Sequence, residues 1–245
     1  AALRELSPED IVDGFNLAAL FNPTPTDKPT WAGGPMQDGE IITATTEEAL
    51  RDGNVAQVDV MVGATSMDIG FNMFKDKAGL FASFGPYAEQ AREVYDPAGD
   101  APFQAVGYSV GQDRSMQEPA RFVAEQMTEH GKKAFYYRFG TVAESSDSPG
   151  APHASDIPFF FNTVAAKYGD ALTAQDAAAA ETIHQYIVSF AKDGQPVSDG
   201  AVAWQAFDPA QSNMLNMTRS GQMEHGTDPW KARLDVVKAA VEQSN

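Results

Sequence analysis

The fold is decided by the stretch Val58-Asp59-Val60-Met61-Val62-Gly63-Ala64-Thr65-Ser66-Met67-Asp68. Its first half is rich in valine, which predicts a β-strand, and its second half passes into small and polar residues. A second stretch, Ala134-Phe135-Tyr136-Tyr137-Arg138-Phe139, has the same β-forming character and leads into a loop rich in Ser, Gly and Pro over 144–152. The sequence therefore places Asp68 just after one strand, and His153 at the end of the loop that follows the other.

The chain around these strands is strongly acidic. It has 245 residues, with 17 Lys and Arg against 34 Asp and Glu, and its formal net charge is -17. Binding to nucleic acid or to anionic lipid needs a basic face, so the charge indicates neither partner. Hydrophobic residues make up 43%, enough for a folded core, and no apolar stretch is long enough to span a membrane. The absence of cysteine excludes disulfides and Cys-ligated zinc.

Helical patterns occupy most of the rest of the chain. The region 71–131 is predicted to be a mostly helical excursion between the two strands. An Ala-rich helix is predicted from about Thr173 to Gly194, and a last amphipathic helix over 229–241. No change of composition splits the chain, so we interpret residues 1–245 as part of one α/β domain.

Asp68 and His153 are placed where they could meet. In an open α/β sheet the ligand crevice lies outside the carboxyl ends of the strands, so an acid after one strand and an imidazole after the next share that crevice. An acid followed by a histidine is also the order of the last two members of an α/β-hydrolase triad. Taken singly, the aspartate is better explained as a turn or cap former, and the histidine as a surface or hydrogen-bonded side chain. Their joint placement favours a catalytic pair.

Several motifs resemble one family. Gly150-Ala151-Pro152-His153-Ala154-Ser155-Asp156-Ile157-Pro158-Phe159-Phe160-Phe161 resembles the catalytic-histidine segment of the type-B carboxylesterases, the cholinesterase-like branch of the α/β-hydrolases. Val62-Gly63-Ala64-Thr65-Ser66-Met67-Asp68 resembles the family segment that carries the triad acid. The family usually has Glu at the position of Asp68, Gly at that of Ile69 and Glu at that of Asp156. Further likenesses occur in family order at Asp38-Gly39-Glu40, Glu48-Ala49-Leu50, Tyr136-Tyr137-Arg138-Phe139, Ser189-Phe190-Ala191-Lys192 and Trp204.

The resemblance implies an α/β fold in which this chain is the C-terminal part of an α/β-hydrolase domain. Its sheet would be mostly parallel and flanked by helices, and a missing N-terminal half would complete it. The implied activity is hydrolysis of a small-molecule carboxylic ester through a Ser-His-acid triad, with His153 as the base and Asp68 as the acid. Phe71 matches a family position that often lines the substrate pocket, and the alternative for Phe71 is an ordinary core aromatic. The implied chemistry uses no cofactor and no metal.

The nucleophile is the triad member that the sequence lacks. In the family it lies on a Gly-x-Ser-x-Gly elbow upstream of the acid, with a glycine-rich oxyanion loop, and neither occurs ahead of Asp68. Gly107-Tyr108-Ser109-Val110-Gly111 matches the elbow pattern but lies between the acid and the histidine, so Ser109 is predicted not to be the nucleophile. We expect a separate N-terminal polypeptide of the same esterase to carry the serine and the oxyanion hole. Maturation cleavage or an accidental nick would each produce such a pair of chains.

Two other functions stay open at this point. Cholinesterase-like domains also serve as non-catalytic binding modules that have lost triad members, and the presence of both Asp68 and His153 favours the enzyme. An unrelated acidic binding protein with chance motif matches is the third interpretation. The high acidity and the lack of cysteine leave the compartment open, with a secreted or periplasmic location slightly favoured.

Overall fold

The computed structural model describes residues 2–12 and 37–243. The internal contacts of the chain divide it into two compact units, Ala1–Asn54 and Val55–Asn245. The described elements of the smaller unit are a 3-10 turn (Ala2–Glu5) and two short helices, α1 (Pro8–Val12) and α2 (Thr46–Arg51). A capping box begins α2, which is the arrangement that satisfies the first free N–H groups of a helix.

The larger unit contains a four-stranded sheet in the order β1-β2-β3-β4. The strands are β1 (Val60–Thr65), β2 (Ala134–Phe139), β3 (Asn213–Met217) and β4 (Met223–Thr227). The first three strands run parallel, and β4 is antiparallel to β3. The predicted α/β class with a mostly parallel sheet is confirmed. The sequence predicts β1 and β2 but not β3 and β4.

The hydrophobic stretch 134–139 forms the central strand β2. Every residue of β2 is buried, because the strand lies between two parallel neighbours and both of its faces are covered. Successive side chains alternate between the two faces. Phe135, Tyr137 and Phe139 join the larger apolar cluster on one face, together with the long helix and Trp204. Tyr136 and Arg138 therefore lie on the opposite face.

Helices flank the sheet. Between β1 and β2 lie α3 (Lys77–Ala82), a 3-10 turn (Gly85–Tyr87), α4 (Ala88–Tyr95), α5 (Phe103–Gln112), a π-helical segment (Asp113–Gln117) and α6 (Glu118–Glu129). After β2 lie α7 (Ile157–Phe160), α8 (Val164–Tyr168), a 3-10 turn (Gly169–Ala171), α9 (Ala174–Asp193) and α10 (Lys231–Glu242). The predicted Ala-rich helix is confirmed as α9, which begins at a capping box formed by Thr173 and Asp176. It ends at Gly194 in the left-handed conformation, as a glycine C-cap commonly does.

A second apolar cluster joins the helices before β2 to the C-terminal helix α10. Its buried members are Leu80, Phe81, Phe84, Ala91, Val106, Val110 and Val237. Because α10 contributes to this cluster, it packs on the helical region that follows β1. The helix α5, which contributes Val106 and Val110, is thereby held in place beside the segment that follows β1 and carries Asp68.

Arg138 is a charged residue near the carboxyl end of the buried strand β2, and its charge is neutralised there. Its Nη1 and Nη2 atoms lie 2.8 Å and 3.0 Å from the two carboxylate oxygens of Asp228. The guanidinium also lies over the Trp230 ring, 3.8 Å from the ring centroid. Two parallel hydrogen bonds of this kind hold both partners in a defined geometry. The ion pair and the Trp230 ring therefore fix the position of the Arg138 guanidinium.

Candidate active site

The segments that follow β1 and β2 are joined directly to one another. Met67 and Pro152 form a parallel β-bridge, and the Met67 N–H donates to the carbonyl oxygen of Ala151 over 2.9 Å. This bridge lies one residue before Asp68 and one residue before His153. The two functional candidates therefore leave the sheet side by side, although 85 positions separate them along the chain.

The aspartate and the histidine form a hydrogen-bonded pair. The Nδ1 atom of His153 lies 2.6 Å from Oδ1 of Asp68. The Asp68 side chain is 3% exposed, and that of His153 is 55% exposed. In the part of the chain that the structure describes, Nε2 of His153 has no hydrogen-bond partner. A buried acid that holds one ring nitrogen and leaves the other accessible is the arrangement that a histidine general base requires.

Two backbone N–H groups donate hydrogen bonds to the buried carboxylate of Asp68. The Thr65 N–H donates to Oδ2 over 3.0 Å, and the Ile69 N–H donates to Oδ1 over 2.8 Å. Burial alone would raise the pKa of Asp68, but these N–H groups and the His153 ring outweigh it and keep the pKa below its usual value. The acid is therefore ionised at neutral pH, and it can stabilise a protonated imidazole.

A tight turn presents the histidine. Ala154, directly after His153, has a φ of 62°, a left-handed conformation that costs a residue other than glycine roughly 1–2 kcal/mol. The Ser155 N–H donates to the carbonyl oxygen of Pro152 over 3.0 Å and closes the turn. The strain is thus confined to one residue, and the ring is exposed at the surface.

The two other sequence candidates near the pair differ in their surroundings. Phe71 is 64% exposed in this chain. Asp156 is half-buried, and burial together with the charge of Asp68 raises its pKa. Both residues lie on the segments that leave the sheet with Asp68 and His153.

Ser109 lies in the middle of α5, away from any turn between a strand and a helix. The glycines on either side of it serve close packing. A β-carbon at Gly107 would lie 2.5 Å from the Asn72 side chain, and one at Gly111 would lie 2.5 Å from the carbonyl oxygen of Phe71. The Gly-x-x-x-Gly spacing therefore lets the helix approach the segment that follows Asp68, and it does not form a nucleophile elbow.

We expect Ser109→Ala to leave ester hydrolysis within about threefold of wild type, because a hydroxyl in mid-helix is not placed to attack a substrate. The rate with a short p-nitrophenyl ester and the melting temperature are the measurements. An inactive variant with an unchanged melting temperature would contradict this prediction and make Ser109 the nucleophile.

The side chains that hold the main chain of Asp68 are not indicated by the sequence. The Tyr108 hydroxyl donates to the carbonyl oxygen of Asp68 over 2.6 Å, and Gln112 accepts from the Asp68 N–H over 3.2 Å. These residues lie 40 and 44 positions further along the chain, and in the sequence they are ordinary polar residues of a helix. No motif or spacing could have identified them.

Within residues 2–12 and 37–243, no three His, Asp or Glu side chains are grouped as metal ligands. No helix there combines the length and the apolar character that crossing a bilayer requires.

Comparison with known proteins shows the family of the chain. The model of the carboxylesterase family matches residues 1–234. The chain is similar to phenmedipham hydrolase of Pseudarthrobacter oxydans, with 29% identity over 229 residues, which are 85% of this chain and 45% of that relative. The chain thus spans about half the length of the curated relative that it matches. Since the family model covers nearly all of its residues, the chain belongs to the carboxylesterase family.

Proposed function

We propose that this chain supplies the histidine and the acid of a Ser-His-acid triad that hydrolyses carboxylic esters. The observation that carries the proposal is the 2.6 Å hydrogen bond between Nδ1 of His153 and the buried carboxylate of Asp68. Membership of the carboxylesterase family supports hydrolysis as the type of reaction. The hydrogen-bonded acid and histidine favour an enzyme over a non-catalytic binding module, because such modules have lost triad members.

The reaction would proceed by acyl transfer. The serine hydroxyl attacks the ester carbonyl while Nε2 of His153 takes its proton, and the same nitrogen then gives that proton to the departing alcohol. Water next attacks the acyl-serine with His153 again as the base, which releases the carboxylic acid and restores the serine. Asp68 orients the ring throughout and stabilises its positive charge. Backbone N–H donors beside the serine would bind the oxyanion.

The serine and the oxyanion hole would come from an N-terminal polypeptide of the same esterase, present as a separate chain. Two observations on the described residues support such a partner. Within the described sheet β1 is an outer strand, and an outer strand has main-chain groups free to pair with another strand. Large apolar side chains near the site are exposed, namely Phe71, Met73, Ile157 and Phe161.

A small-molecule ester with an apolar acyl or alcohol group is the substrate class that we propose. Phe71 would line its binding pocket, since this exposed aromatic follows the acid by three residues. The name of phenmedipham hydrolase makes phenmedipham a second compound to test beside simple esters.

The proposal is tested by measuring hydrolysis of p-nitrophenyl acetate, p-nitrophenyl butyrate and phenmedipham. The 245-residue chain is compared alone and together with the N-terminal polypeptide. We expect turnover only when both are present. Turnover by the chain alone would contradict the divided triad, and a folded complex that hydrolyses none of the compounds would favour the binding module.

A further inference from the structure

Four side chains of α5 and the π-helical segment bind the main chain around Asp68. We call them the acid clamp: Tyr108, Gln112, Ser115 and Gln117. Tyr108 and Gln112 bind the carbonyl oxygen and the N–H of Asp68 itself. Ser115 donates to the carbonyl oxygen of Ile69 over 2.6 Å. Gln117 donates to the carbonyl oxygen of Thr65 over 2.6 Å.

The residues bound by the clamp are the ones that determine where the carboxylate lies. Thr65 and Ile69 each donate a main-chain N–H to the carboxylate of Asp68. Their carbonyl oxygens are held by the acid clamp, as are both main-chain groups of Asp68 itself. All three residues are therefore fixed by side chains from a helix that is distant in sequence. A shift of the clamp would move the carboxylate relative to His153.

The π-helical segment allows Gln112 and Gln117 to point to the same side of the helix. In an α-helix of about 3.6 residues per turn, positions five apart point in different directions. A π-helical turn has i→i+5 hydrogen bonds, so residues five apart come onto the same side. Gln112 directly precedes this segment, and Gln117, five positions later, is its last residue. Both side chains bind the main chain between Thr65 and Asp68. An unbroken α-helix could not present both glutamines to that strand end.

The clamp is anchored to buried charges on two sides. Arg138, held by its ion pair with Asp228, donates from Nε to Oε1 of Gln117 over 3.1 Å. Gln117 therefore uses its oxygen for the arginine and its NH₂ group for Thr65. The π-helical segment itself is held by Asp113, whose buried carboxylate accepts two bonds of 2.8 Å from Arg233.

We propose that the acid clamp positions the carboxylate of Asp68 against His153, and that Gln117 is the positioning residue linking the acid to the Arg138 ion pair. This inference rests on the proposed function for its effect on turnover. Its structural part concerns only the hydrogen bond between the acid and the histidine, which can be measured without a substrate.

The direct test is the proton on Nδ1 of His153. A short, charge-assisted bond to a carboxylate gives this proton a downfield NMR signal, identified by its loss in Asp68→Asn. The protein with its N-terminal polypeptide is compared as wild type, Gln117→Leu and Gln117→Glu. The matched control is Gln126→Leu, since Gln126 is a buried glutamine of α6 whose NH₂ group bonds Glu129. We expect the signal to move upfield or disappear in both Gln117 variants and to stay unchanged in the control.

Gln117→Glu separates positioning from stability. It keeps the size of the side chain and an oxygen for Arg138, but it replaces the donor to Thr65 with an acceptor and adds a negative charge. If Gln117→Leu does not fold, Gln117→Glu alone decides the matter. We also expect kcat to fall at least about tenfold with KM within about twofold, because a small displacement of a catalytic group lowers the rate of the chemical step.

A wild-type signal and a wild-type kcat in folded Gln117→Glu would overturn the inference. If the wild-type protein shows the downfield signal but hydrolyses no ester, the proposed function fails. The effect of the Gln117 variants on the signal still decides whether the clamp positions the acid.

Discussion

His153→Ala is expected to lower ester turnover by about three to six orders of magnitude, with the fold retained. The reason is that the serine then has no base to accept its proton, and the leaving alcohol has no acid to protonate it. The side chain is exposed and bonds only to Asp68 among its described contacts, so its removal costs little packing. Initial rates with a p-nitrophenyl ester and the melting temperature are the measurements.

The matched control for this variant is His130→Ala. His130 is the residue that caps the C-terminus of α6, and its replacement should leave turnover within about twofold of wild type. Turnover close to wild type in folded His153→Ala would end the assignment of His153 as the base.

Asp68→Asn is expected to lower turnover by at least about a hundredfold. Three donors converge on this carboxylate: the N–H groups of Thr65 and Ile69, and Nδ1 of His153. A carboxylate accepts at both oxygens, whereas an amide offers one oxygen and one NH₂ group. The asparagine would therefore face a donor with a donor, and the negative charge that stabilises the imidazolium would be lost.

Asp68→Glu is the matched variant, because it keeps the charge and has the side chain that the family usually carries at this position. It should retain more turnover than Asp68→Asn, measured with the same ester and with melting temperatures beside the rates. An asparagine variant as active as wild type would show that the hydrogen bond to His153 has no catalytic part.

The sheet could be predicted only where its strands are hydrophobic. β2 is buried on both faces, so its sequence is a run of aromatic residues that indicates a strand without further information. β3 and β4 contain asparagine, glutamate, histidine and glycine, residues that rarely indicate strands. They form an antiparallel hairpin at the outer side of the sheet. The pairing of β3 with β2 and of β4 with β3, rather than local propensity, determines their structure.

The site shows the same division between local and distant contributions. Asp68 closely follows β1, and His153 ends the loop that follows β2. Their meeting follows from the rule that parallel strands have their carboxyl ends on the same side of the sheet. Gln112 and Gln117 reach the acid only because a π-helical segment shifts the direction of a helix. No residue pattern in a single sequence indicates where such a segment occurs.

We propose that this chain provides an acid and a base to a serine that lies outside its 245 residues. The most direct test is to label the active protein with a serine-directed fluorophosphonate and to locate the modified peptide by mass spectrometry. We expect the label on an N-terminal polypeptide that separates from this chain on a denaturing gel, and we expect greatly slowed labelling in His153→Ala. A label on a serine within residues 1–245, Ser109 included, would contradict the account.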